Sequence, residues 1–274
     1  MILKAAVCGN WLRLKAREMN NKKIILLAGK GTSTNIIYHA LKYEWDISAI
    51  ILEEAENKSY FLKRRIKKLG IWKVIGQVLF QLSIVRFLNF TSAKRKNELL
   101  LQYELNTGNL PEEKLIHVIS VNDNKCLQIL QKINPDIVIV NGTRIISKQI
   151  LQSLPAKFLN IHAGITPKYR GVHGGYWALV NNDISNCGVT IHLVDAGIDT
   201  GSVIYQKQIA FTSKDNFVTY PLIQLATGIP YLKAAIRDIL MGHLILKKGT
   251  DESCLWSHPT LGQYVYYRIV HKKK

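Results

Sequence analysis

The chain is expected to fold as an α/β protein on a Rossmann-like, twisted, mainly parallel sheet. Helices should cover both faces, joined by a helical insertion and a helical C-terminal extension. Three observations predict this. Short, wholly apolar runs recur, as in Ile24-Ile25-Leu26-Leu27-Ala28 and Ile137-Val138-Ile139-Val140, the composition of strands buried on both faces. Stretches of helical pattern separate them, and that alternation favours βαβ units. The runs also end in small or polar residues that make tight turns, where open sheets of this kind place their ligands.

In chain order, Lys22–Gly29 reads as the first strand, charged at its entry and apolar thereafter. Gly29-Lys30-Gly31-Thr32-Ser33-Thr34-Asn35 is a turn opening a helix through Ile36, Ile37, Ala40 and Leu41. Ile47–Leu52 and Leu115–Val121 are the next strands, and a helix covers Cys126–Ile133. Pro135-Asp136 leads into the strand Ile137–Val140, and Phe158–His162 is another. Val189–Val194 follows, with Val203–Ile209 as an edge strand. Pro221–Met241 has a helical pattern, and the aromatic residues of 255–267 are expected to pack back on the main domain. The organisation is then an N-terminal extension (1–21), a catalytic domain (22–214) with a basic helical insertion (54–113), and a C-terminal extension (215–274).

Hydrophobic residues make up 47% and charged residues 20% of the 274 positions, so the chain can bury a sizeable core. Lys+Arg 37 against Asp+Glu 19 gives a formal charge of +18. Such an excess favours anionic partners: phosphorylated substrates, nucleic acid or an anionic membrane surface. The four cysteines, Cys8, Cys126, Cys187 and Cys254, form no CxxC pair, which argues against a zinc site or a disulfide framework. A reducing cytoplasm is the simpler inference, and Met1–Met19 lacks the continuous apolar segment of a signal peptide.

Within the insertion, Ile71, Ile75, Val78, Leu82 and Val85 fall on one helical face, with Lys73, Gln77 and Gln81 on another. Lys73 and Arg86 leave twelve residues between charges, too few to span a bilayer. Three readings stay open: a hairpin packed on the domain, a basic amphipathic helix on an anionic membrane (through residues 63–96), or a dimer interface.

The chemistry concentrates in Asn160-Ile161-His162-Ala163-Gly164-Ile165-Thr166-Pro167-Lys168-Tyr169-Arg170-Gly171 and in Asp195-Ala196-Gly197-Ile198-Asp199-Thr200-Gly201. Asn160 and His162, two apart on an extended segment, share a face. An amide and an imidazolium can donate to a developing oxyanion, while a carboxylate sets the imidazole's charge and collects protons. Gly29–Asn35, between strand and helix, would suit a phosphate, although it lacks the Gly-Lys-Ser/Thr ending of a Walker A loop.

This pattern resembles the 10-formyltetrahydrofolate-dependent formyltransferases, the family of glycinamide ribonucleotide, methionyl-tRNA and sugar-nucleotide N-formyltransferases. The resemblance covers residues 22–52 and 115–210 and is most specific at 160–204. It implies Asn160, His162 and Asp199 as the catalytic set. It implies a co-substrate site for 10-formyltetrahydrofolate at Gly142, Thr143, Arg144, Ile145, Ile146, Asp195 and Gly197, with no metal. For the acceptor it points to Gly31, Thr32, Ser33 and Asn35, with Arg170 and His173 beyond the active-site loop. The implied acceptor is a small anionic amine, with an amino-sugar nucleotide leading and phosphoribosylglycinamide close behind; nucleic acid is not expected. A methionyl-tRNA enzyme would need a larger β-rich carboxyl domain than Asp215–Lys274 can supply. Against these stand a hydrolase releasing formate and a non-catalytic basic module that binds membrane or RNA.

Overall fold

The computed structural model describes residues 22–247, 249 and 252–272. The expected N-terminal extension, Cys8 and the final Lys273-Lys274 lie outside the described residues. A seven-stranded sheet organises the rest: β1 (Ile24–Gly29), β2 (Ile47–Glu53), β3 (Leu115–Val118), β4 (Ile137–Asn141), β5 (Lys157–His162), β7 (Gly188–Leu193) and β8 (Val203–Gln208). Its order is β3-β2-β1-β4-β5-β7-β8. The first five strands run parallel, and β7 and β8 are antiparallel additions at one edge.

Period-two geometry explains why the apolar runs are continuous. Ile24, Leu26, Ile50, Ile137, Ile139 and Leu159 face helices α1 (Thr32–Leu41) and α8 (Tyr220–Met241). Ile25, Leu27, Ile51, Val138 and Val140 face α5 (Asn124–Ile133) and α6 (Lys148–Gln152). Each strand therefore needs apolar side chains at consecutive positions. Helix α8 buries Ile223, Leu232 and Ile236 in this sheet core.

The third strand stops at Val118 rather than at Val121. The chain turns there because Asp123 caps α5 through Cys126 N–H at 2.7 Å, and Val121 N–H instead donates to Glu53 Oε1 at 2.8 Å.

The insertion forms α2 (Lys58–Leu69), a 21-residue helix α3 (Ile71–Thr91) and α4 (Ala93–Gln102). Asn57 caps α2, accepting from Ser59 and Tyr60 N–H. Helix α3 runs unbroken past Arg86, with a π-helical turn over Gln81–Val85, and by length and composition it could cross a membrane. The twelve residues between Lys73 and Arg86 therefore understate the length of the apolar helix. The helix lies on the domain through Phe80, which is fully buried among Phe217, Tyr264 and Tyr176. Tyr264 belongs to α9 (Leu261–Val270), whose start is fixed by a Thr260/Gln263 capping box. The C-terminal aromatics do pack back on the domain.

Candidate active site

Strand β5 ends at His162, and its antiparallel pairing with β7 sets Asn160 opposite His192. The Asn160 amide nitrogen lies 3.1 Å from His192 Nε2. His192 Nδ1 sits 2.7 Å from the Leu193 carbonyl, which can only accept. The proton therefore belongs on Nδ1, and Nε2 accepts from Asn160. This fixes the amide orientation and leaves the second Asn160 N–H directed to Asp199 Oδ1 at 3.4 Å. His162 Nδ1 approaches the same oxygen at 3.3 Å, while its Nε2 contacts the Tyr169 carbonyl at 2.8 Å. The three residues expected from the sequence thus converge on one carboxylate.

Asp199 sits at φ 51°, in the left-handed region that Asp tolerates better than most side chains. Its Oδ2 accepts Gly171 N–H at 2.9 Å. Burial would raise its pKa, but hydrogen bonding from His162 and from Gly171 N–H holds the carboxyl well below the usual carboxylate range. His192 Nε2, 3.7 Å away and accepting from Asn160, has no proton to give it.

Gly171 is placed by a second, two-stranded sheet in which β6 (Arg170–Gly171) pairs with β9 (Leu255–Trp256). Its φ of +91°, and a Trp256 carbonyl that would lie 2.3 Å from any added Cβ, explain the glycine. The C-terminal extension thereby holds the donor that steadies Asp199.

A cleft of about 340 Å³ opens over the trio. One wall is Gly142, Thr143, Arg144, Ile145 and Ile146; the other is Val194, Asp195, Gly197 and Ile198. Both loops expected from the sequence are present. The Arg144 side chain turns away, however, bonding Glu53 at 3.0 Å and the Ile119 carbonyl at 2.8 Å. Arg144 therefore contributes backbone to the cleft while its guanidinium anchors the loop. Asp195 braces its own turn through Gly197 N–H and Thr200 Oγ1. Ile146 is buried in the core and Ile145 is exposed.

The acceptor-side expectations fare differently. A larger cleft of about 810 Å³ shares Gly142–Ile145 with the first and is lined by Gly29, Lys30, Arg64, Arg65 and Lys68. Gly31, Thr32, Ser33 and Asn35 are not among its lining residues. Ser33 accepts from Asn141 Nδ2 at 3.0 Å, and the Asn35 amide donates to the Thr107 carbonyl at 3.2 Å, so these side chains are spent on the fold. Arg170 donates to the Ile198 carbonyl at 3.0 Å, bracing the Asp199 loop. His173 packs against Phe217 with ring centroids 4.2 Å apart, away from the trio. What sequence reading missed is His192, Lys30 and the basic face of α2. His192 could have been found, since it lies within the expected strand Val189–Val194 that leads into the Asp199 loop; the role of α2 could not.

His173 Nε2 and Gln81 Nε2 both reach His258 Nδ1, at 3.0 and 3.1 Å. An amide nitrogen only donates, so Nδ1 is the acceptor and His258 is neutral. Burial, aided by Arg65, pushes His258 down to about 4; burial, aided by His258, pushes His173 down to about 3. Both lie below the unfolded value near 6.5, so the unfolded chain binds more protons on acidification. The stability from these neutral rings is complete above pH ~6.5 and declines as pH falls toward ~4. The effect for His258 should be on the order of 3 kcal/mol at the acid end. Thermal melts across this window should show Tm falling with pH, and His258→Gln should flatten that slope.

The chain is similar to known proteins in sequence and in fold. A family model described as formyl transferase matches residues 91–221. The chain is 30% identical over 146 residues to a methionyl-tRNA formyltransferase of Caldanaerobacter subterraneus subsp. tengcongensis, covering 53% of this chain and 47% of that protein. It spans about half the length of that relative. Among solved structures, a sugar N-formyltransferase from Shewanella sp FDAARGOS_354 superposes with TM-score 0.55 at 15% identity, covering 85% of this chain and 76% of the other. WlaRD, a sugar 3N-formyl transferase solved with dTDP and 5-N-formyl-THF, gives TM-score 0.50 at 20% identity, covering 86% and 70%. These two likenesses concern the fold. The stretch that carries Asn160, His162 and Asp199 is thus the part of the chain that is similar to the formyl transferase family.

Proposed function

We propose that this protein transfers a formyl group from 10-formyltetrahydrofolate to the primary amine of a small, phosphate-bearing acceptor, foremost an amino-sugar nucleotide. The observation that carries the reading is the meeting of Asn160, His162 and Asp199 at one end of the 340 Å³ cleft. The cleft fits a flat heterocycle, with main-chain groups at Gly142 and Gly197 and apolar walls at Val140, Ile146 and Val194. The co-substrate supplies the formyl carbon when bound.

The residues divide the work. Asn160 and His162 present N–H groups on the side of Asp199, so a carbonyl oxygen entering there meets two donors as it gains charge. Asp199, held as a carboxylate, receives the proton of the attacking amine through water, and the departing folate nitrogen takes up a proton as its bond to the formyl carbon breaks. Lys30, Arg64 and Lys68 in the adjoining cleft suit the acceptor's phosphate. The reaction belongs to the cytoplasm, in keeping with the free, buried thiols of Cys126 and Cys187.

The test incubates purified protein with 10-formyltetrahydrofolate and a panel of amines, reading tetrahydrofolate release and product mass. Amino-sugar nucleotides should be formylated, and phosphoribosylglycinamide should be poorer. Folate turnover without any amine would instead indicate a hydrolase. Lys30→Ala should raise the acceptor KM about 10–150-fold, since one charge-assisted hydrogen bond contributes about 1.5–3 kcal/mol, while leaving the folate KM unchanged.

A further inference from the structure

Helix α3 carries two apolar faces and buries only one. Val74, Gln77 and Phe80 face the domain, and a second apolar stripe is left open. Gln77 is 3% exposed, with its amide N–H donating to the His258 carbonyl at 2.6 Å and its Oε1 accepting from Arg65 at 2.5 Å. On the outside, Trp72 is 82%, Leu82 66% and Phe90 84% exposed, and Ile75 and Leu79 lie between them. Trp72, Ile75, Leu79 and Leu82 follow one another at spacings of three, four and three, a single helical stripe. The π-turn over Gln81–Val85 then supplies the longer step that brings Phe87 and Phe90 back onto it. Beside this stripe, α9 exposes Val265, Ile269 and Val270. A groove of about 520 Å³ between the two helices, lined by Phe87, Leu88, Val265 and Ile269, joins the surfaces. A patch of this extent marks an interaction site.

The charge around it identifies the partner. Residues 57–97 hold eleven Lys or Arg and no Asp or Glu; residues 261–274 hold four and none. Fifteen of the eighteen net positive charges therefore lie in the two segments that carry the apolar stripe. Lys63, Lys67, Lys68, Lys73, Arg86 and Lys94 are paired with no carboxylate among the described residues. We propose that this face is a docking surface for an anionic lipid bilayer, with α3 lying in the plane of the membrane and α9 beside it. The stripe enters the acyl boundary while Lys63 and Lys67 of α2 and Lys73 of α3 meet anionic headgroups. A spanning orientation is ruled out by the packing, because α3 is held to the domain by buried Phe80 and Gln77. A second copy would set two strongly basic faces against each other, and RNA would leave the apolar stripe wet. The proposal is independent of the formyl-transfer reading.

Co-sedimentation of the full chain with vesicles tests it. Phosphatidylglycerol-containing vesicles should retain the protein, and pure phosphatidylcholine should retain at least tenfold less. The double variant Leu82→Ser/Phe90→Ser should lose binding at least tenfold with its thermal melt unchanged, since both side chains are exposed. Lys67→Glu/Lys73→Glu should lose a similar factor and, unlike the serine variant, should remove the salt dependence. Equal binding to neutral and anionic vesicles would overturn the proposal, as would no binding to either. A dimer in sedimentation equilibrium that Phe90→Ser dissociates would overturn it in favour of a second copy. Retention of RNA without retention of vesicles would do so in favour of nucleic acid.

Discussion

Asp199→Asn is expected to lower kcat/KM for formyl transfer by about 10²–10⁴-fold, the range for loss of a positioned proton acceptor. That corresponds to roughly 3–5 kcal/mol of barrier. Asparagine can still accept Gly171 N–H with its carbonyl, so the loop has a route to its conformation and the loss should fall mainly in kcat. His162→Ala should behave alike, because Asp199 and His162 act through one contact of 3.3 Å. The pair should be strongly non-additive, and the double variant should be little worse than either single one. Near-normal turnover in either single variant would remove the assigned roles. The pH profile supplies a further check. The Asp199 carboxyl is held below the usual carboxylate range. Its contribution to stability is therefore present above the unfolded value near 3.9 and is lost only as pH falls through the lower folded value. An acid limb of activity near neutrality must consequently belong to another group, such as the acceptor amine, and should persist in Asp199→Asn at its reduced rate.

Phe80→Ala should be the most damaging change outside the cleft. Phe80 has no exposed surface, and its ring meets Phe217 at 4.9 Å and Tyr264 at 5.1 Å between centroids. Truncation leaves a cavity where the insertion, α9 and the helix α7 (Gly174–Val180) meet, and should cost about 3–5 kcal/mol. For a chain of this size that is a Tm loss of roughly 6–20 °C. Phe90→Ala, ten residues along the same helix but 84% exposed, should change stability by less than about 0.5 kcal/mol. Denaturant titration of the two variants measures the contrast directly. Comparable losses would mean that the helix is not seated as described. Because Gln81 and His258 connect this seat to His173, Phe80→Ala should also speed proteolysis of the 252–260 segment.

The sheet and the polar trio were legible in the sequence for a local reason. A strand buried on both faces needs consecutive apolar residues, and Ile24–Ala28 and Ile137–Val140 can satisfy nothing else. Asn160 and His162 lie two apart on one strand, so their shared face follows from the chain's own period. Asp199 was legible through the run of residues around it, although its contact with His162 spans 37 positions and is made only by the β5–β7 pairing. The turn at Gly29–Asn35 was read correctly as a strand-to-helix link, yet its hydroxyls and amide were absorbed by Asn141 and Thr107, partners distant in sequence.

What the sequence by itself determined is the alternation of elements, the identity of the polar trio and the existence of an amphipathic helix after residue 70. What only the tertiary structure decided is which way that helix faces. Periodicity marks two stripes, one apolar and one bearing Gln77 and Gln81, but it carries no sign for inside and outside. The sign came from Ser257 and His258, some 180 residues away, which give the glutamines hydrogen-bond partners in a buried seat. With those amides satisfied inside beside buried Val74 and Phe80, the second apolar stripe has only the outside left, and a surface that composition suggests is core becomes an exposed face of the protein.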